Sequence, residues 1–130
     1  MNIFILDEDP VIAARMLCDR HIPKMIVESA QMLSTAHRLL DGSPTKRRSR
    51  SGKTIQTYYE FKDARDELYY TAVHKHHPCT TWTMASIENY NWHYGHFAEM
   101  SKEFTFRRQK NHATWEKIGV ILAAPPINIP

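Results

Sequence analysis

At 130 residues, with 42% hydrophobic and 24% charged side chains, the chain can form one domain with a real core, and its composition excludes a disordered or low-complexity protein. No apolar run approaches the roughly 20 residues of a membrane span, and the opening MNIFILDEDP lacks the basic flank of a signal peptide. The net charge of +3 is unevenly placed, because residues 43–53 (SPTKRRSRSGK) hold five Lys or Arg and no acid, leaving twelve basic and fourteen acidic side chains elsewhere.

In chain order, Asn2–Leu6 is apolar and β-branched and predicts a short strand or buried extended lead-in. Asp9 followed by Pro10 is a helix start; the helix runs through VIAARMLCD with Val11, Ala14, Leu17 and Cys18 inward. Asp19 is the expected cap of a second helix ending at Asp41–Gly42, glycine being the usual left-handed stop. Residues 43–53 read as a flexible basic loop suited to phosphate-backbone contact through Lys46, Arg47, Arg48, Arg50 and Lys53. Residues 54–62 alternate as a strand or hairpin arm, and 63–73 as a short helix with Ala64, Leu68 and Ala72 inward. Pro78 ends the HKHHPC segment, after which Thr80 or Thr81 caps a long helix reaching Gln109, its core stripe being Ile87, Tyr90, Tyr94, Phe97, Met100 and Phe104. A last helix spans 112–123, and 124–130 is a tail.

The second helix carries two lines of residues. Ile22, Met25, Ile26, Ala30, Leu33, Ala36 and Leu40 form its buried face, while His21, Lys24, Glu28, Gln31, Thr35 and Arg38 line the other side at steps of three and four. That second row is either a solvated face or chemical equipment centred on Glu28. A comparable stripe, Trp82, Ser86, Asn89, His93 and His96, lies on the later long helix. Facing each other across a groove, the two stripes and the HHP turn would suit a flipped base or splayed strand; packed inward, they would be an interhelical polar network.

The eight histidines raise a zinc reading, but no HExxH and no CxxC pair is present, and no cofactor-binding motif or Gly-rich phosphate loop occurs. Cys18 and Cys79 fit reduced thiols in a cytoplasmic protein.

The stretches MNIFILDEDPVIAARMLCDRHIPKMIVESAQMLSTAHRLLDG, LYYTAVHKHHPCTTW, SIENYNW and PPINIP resemble a family of small tailed-phage and marine-virus proteins. Members of that family are sometimes labelled pyrimidine-dimer DNA glycosylases of the endonuclease V-like kind. The resemblance implies a compact helical repair enzyme, in the host cytoplasm if viral, that flips a nucleotide out. It would attack the sugar C1′ with an amine and then cleave the strand as a lyase. In such enzymes an acid on an early helix, with basic neighbours, assists catalysis; Glu28 with Lys24 and Arg38 matches that arrangement, and Lys75-x-His77-Pro78 is similar to a turn in some relatives. The family nucleophile is the α-amine of a small residue freed by removal of the initiator Met. Here Asn2 is too large for efficient removal, which leaves the amine of Met1 itself or Lys24. A lysine can serve only where burial or a nearby cation favours its neutral form, here beside Arg38 or the histidines.

The expectation is therefore a mainly α, compact single-domain bundle of four or five helices, with a short N-terminal strand and a basic loop. Its expected function is excision of damaged pyrimidines from DNA, without cofactor or metal. Glu28, Lys24, His21 and His77 are the candidate catalytic residues. Arg38, Trp82 and Asn89 join the basic loop in binding DNA. Two alternatives stand beside this: a non-enzymatic phage accessory protein that binds nucleic acid or a host protein, and a metal-dependent nuclease or hydrolase using the histidines.

Overall fold

The computed structural model describes residues 1–130 and is mainly helical, with one small sheet. Five α-helices, α1 (Pro10–Arg15), α2 (His21–Asp41), α3 (Arg65–Leu68), α4 (Pro78–Met84) and α5 (Ile87–Arg108), are joined by an antiparallel hairpin of β1 (Ser43–Arg48) and β2 (Ile55–Glu60). A π-helical turn over Trp115–Gly119 and a 3-10 turn over Ile121–Ala123 follow. No helix is long and apolar enough to cross a membrane.

The two long helices run antiparallel: Asp19, just before α2, meets Arg107 near the end of α5, whereas Ser29 meets His93 and His37 meets Tyr90. Of the apolar face expected of α2, Ile22, Met25, Ile26, Ala30, Leu33 and Ala36 share one core with Tyr90, Phe97, Met100 and Phe104 of α5 and with Ile118 and Leu122, while Leu40 is half-buried outside it. Each large buried apolar side chain contributes about 1.5–3 kcal/mol, against at most about 1 kcal/mol for an exposed ion pair. Apolar packing therefore sets the arrangement of the helices.

Several expectations are corrected. Residues 1–6 pair with no strand and run as an extended, unpaired segment. Helix α1 stops at Arg15, which leaves Cys18 exposed rather than inward. Asp19 does not cap α2, since its carboxylate is drawn 2.9 Å from Arg107. Residues 43–48 are a strand rather than a flexible loop, because the neighbouring β2 supplies a hydrogen-bonding partner along Ser43↔Glu60 to Arg48↔Ile55. The turn closes through Ser49 N–H to Thr54 O at 2.7 Å, with Gly52 at φ +74°, a conformation that favours glycine. Gly42 is needed for space instead: its φ is −83°, not left-handed, and a Cβ would lie 2.6 Å from Arg38 O.

The segment 63–73 forms only the four-residue α3, with Leu68 outward and Phe61 and Tyr69 buried in its place. The expected long helix breaks at Ser86, an extended residue whose hydroxyl accepts from Asn89 N–H and starts α5 afresh, and Ile87 is exposed. His77, not Thr80 or Thr81, caps α4. The 124–130 tail is tied down, the Asp41 carboxylate accepting from Ile127 N–H, Asn128 N–H and Asn128 Nδ2 at 2.7–3.0 Å.

Candidate functional site

Parts of the polar row of α2 are covered by two different segments, while His21 and Lys24 stay exposed. At its N-terminal end the extended residues 1–6 run back along the helix: the Phe4 ring stacks on His21 with centroids 5.4 Å apart, and the α-amine of Met1 sits 3.1 Å from Glu28 Oε1. At the other end Val73 bonds Thr35 Oγ1 through its N–H at 3.1 Å, and Arg38 is enclosed by the chain from Tyr59 to Tyr70. Glu28 and Thr35 are two helical turns apart, about 10 Å along the axis. Gln31, half-buried, lies between them.

The Met1–Glu28 pair is sheltered, with side-chain exposures of 6% and 14%, and Glu28 Oε2 is buried without a hydrogen-bond partner. Residues Ile3 and Ile5 continue the segment along α4, where with Pro78, Cys79 and Trp82 they enclose an apolar hollow of about 260 Å³. An amine and a carboxylate held together can pass a proton between them, and the carboxylate can stabilise a cation formed on the amine. As a class, α-amines are weaker bases than lysine ε-amines. Lys24 is exposed, and His21 is exposed two turns away from Glu28.

Arg38 is not a DNA contact. Its side chain is 1% exposed and donates five hydrogen bonds of 2.7–2.9 Å, to the carbonyls of Tyr59, Asp66, Tyr69 and Tyr70 and to Asp66 Oδ1. Burial raises the Asp66 carboxyl, but the Phe61 N–H and the Arg38 guanidinium together outweigh it and hold it below the usual carboxylate range. Tyr59 belongs to β2 and Tyr70 to the segment opposite, so this one guanidinium sets the spacing of two walls. Between them lies a groove of about 740 Å³ with Arg47, Arg48, Arg50, Tyr58, Tyr59 and Lys75 on its lining and no acidic residue. Arg47, Arg48 and Arg50 of the expected basic segment reach the groove, whereas Lys46 bonds Thr57 Oγ1 at 2.8 Å and Lys53 is exposed outside it. Lys75, Tyr58 and Tyr59 are missing from the DNA contacts expected of the sequence. The one available signal was the TYY run of β2 following the basic stretch.

The other expected site residues make structural contacts. His77 Nδ1 accepts from Cys79 N–H as the cap of α4. Asn89 Nδ2 donates to Trp82 O, locking the α4–α5 corner, and Trp82 meets Trp92 edge-on. His93 and His96 lie inside the protein, not along a groove. The Thr83 hydroxyl donates to Cys79 O and so accepts from His93 Nδ1–H, which fixes the tautomer and leaves His93 Nε2 to accept from Ser29. Burial, reinforced by His96, pushes His93 down to about 3, and burial alone pushes His96 down to about 4. No three His, Cys, Asp or Glu side chains come together where they could hold a metal ion. Comparison with known proteins gives no relative: no family model, no curated protein and no solved structure matches the chain.

Proposed function

We propose that the chain is a base-excision enzyme acting on damaged pyrimidines in DNA, a glycosylase with strand-cleaving lyase activity, with the Met1 α-amine as nucleophile and Glu28 as its partner. The observation that carries this reading is the sheltered 3.1 Å contact between the Met1 amine and Glu28. Further support comes from the groove with its acid-free basic lining between the hairpin and residues 71–75, a segment that bonds α2 at Thr35, and from the resemblance to phage pyrimidine-dimer glycosylases.

In the proposed reaction Glu28 takes a proton from the Met1 ammonium, and the freed nitrogen attacks C1′ of an extruded nucleotide. The C1′–N bond to the base breaks, and its electron pair leaves with the base, which is then protonated. The attacking nitrogen then gives up a proton, and O4′ gains one as the C1′–O4′ bond breaks and the sugar ring opens. The resulting iminium on Met1 is stabilised by the Glu28 carboxylate. Loss of a C2′ proton expels the 3′ phosphate, and water releases the sugar fragment and regenerates the amine. The basic hairpin holds the phosphate backbone meanwhile, with charge and reach. A cytoplasmic setting, in an infected host for a viral chain, belongs to the same proposal.

The groove favours one further reading, a nucleic-acid-binding accessory protein without chemistry. Strand cleavage of abasic-site DNA separates the two: protein with a free amine cleaves, and the same protein acetylated at Met1 binds equally but does not cleave. Binding without cleavage by the unmodified protein overturns the enzymatic reading.

A further inference from the structure

We propose that the groove between β2 and residues 71–75 takes an unpaired nucleotide of a single strand, its base stacked on the guanidinium of Arg47. This rests on the nucleic-acid reading above but not on the amine chemistry.

Arg47 is an unusually fixed surface arginine. Its guanidinium lies 3.7 Å from the centroid of the Tyr58 ring and donates to Glu60 Oε2 at 3.0 Å, while 46% of the side chain remains exposed. Tyr58 in turn packs against buried Arg38, 5.1 Å from its centroid, and bonds the same Asp66 oxygen that Arg38 holds. Arg47 is therefore held over a ring that is itself anchored, and its side chain lines the groove. Planar guanidinium groups are stacking surfaces for unstacked bases.

The surroundings supply what a nucleotide's phosphates would need. Arg50 has no hydrogen-bond partner, Arg48 reaches only Gly52 O at 3.2 Å, and Lys75 meets only the Tyr59 hydroxyl and ring. None of the three is paired with an acid. These cations flank a hollow of about 740 Å³, within the roughly 300–1,000 Å³ of sites that hold one small ligand. A duplex keeps its base faces inside its own stack, so a flat cationic platform on the lining of a groove serves an unpaired base and not a paired one.

The test is fluorescence anisotropy with wild-type protein and three probes: a short oligothymidylate, a base-free strand of tetrahydrofuran abasic residues of the same length, and a duplex. None of the probes carries an aldehyde, so the outcome is independent of the Met1 amine, just as cleavage of abasic DNA is independent of base stacking. The expected result is about tenfold tighter binding of oligothymidylate than of the base-free strand. Arg47→Lys should erase that preference without weakening binding to the base-free strand, and Arg50→Ala should weaken both equally. Equal affinity of the wild type for the two single strands, tighter binding of the duplex, or equal competition by polyglutamate overturns the proposal.

Discussion

Glu28 and Arg38 share one face of α2, yet the fold gives them opposite fates. Glu28 keeps an unpartnered oxygen beside an amine, whereas every donor of Arg38 is consumed by carbonyls and Asp66. Glu28→Gln preserves shape and removes the proton acceptor, so cleavage rate on abasic-site DNA should fall about 10²- to 10⁴-fold, with affinity for the groove changed less than about twofold because charge screening separates the two sites. Unchanged turnover in that variant would remove Glu28 from the chemistry. For Arg38→Ala the expected loss is in stability, about 3–5 kcal/mol by urea denaturation, since four carbonyls and the half-buried Asp66 carboxylate lose their partner and a large buried side chain leaves a cavity. Arg38→Lys should recover little, an ammonium having three donors where the guanidinium fork uses five contacts. The row of six polar residues on α2 was legible in the sequence. What it faced was not, because its partners Met1, Phe4, Tyr59, Tyr70 and Val73 are fixed by tertiary packing alone.

Among the elements, α2 and the body of α5 were readable because an apolar stripe of helical period needs a core to face. Strand β2 was readable through its alternation. Strand β1 was not: SPTKRR has no strand-like pattern, and it becomes a strand only by pairing with β2, its charges lying on exposed positions where they also protect the edge. The break at Ser86 was hidden because the helical stripe continues on both sides of it; the Ser86–Asn89 cap was the local clue. Replacing Ser86 with Ala should lower stability by about 1 kcal/mol. The same change should loosen the Trp82 carbonyl held by Asn89, seen as faster amide exchange at the α4–α5 corner.

At the level of the whole molecule, His37, His93 and His96 are buried where the helices pack, His37 and His93 with hydrogen-bond partners and His96 with none. Burial pushes His37 and His96 down to about 4 and His93 to about 3. In the unfolded chain these imidazoles titrate near 6.5, so below that pH the unfolded state binds more protons and stability falls. Stability should be flat above about pH 7 and lost progressively between about pH 6.5 and 4, by up to about 2 kcal/mol per histidine at pH 5. His93→Gln should flatten part of that slope in denaturation curves taken across pH. The proposed chemistry rests on the Met1 amine beside Glu28. Its most direct test is borohydride trapping on abasic-site DNA followed by mass mapping of the adduct. An irreversible cross-link on the Met1 α-nitrogen, much reduced in Glu28→Gln, is the predicted result. A cross-link on Lys24, or none at all, would contradict it.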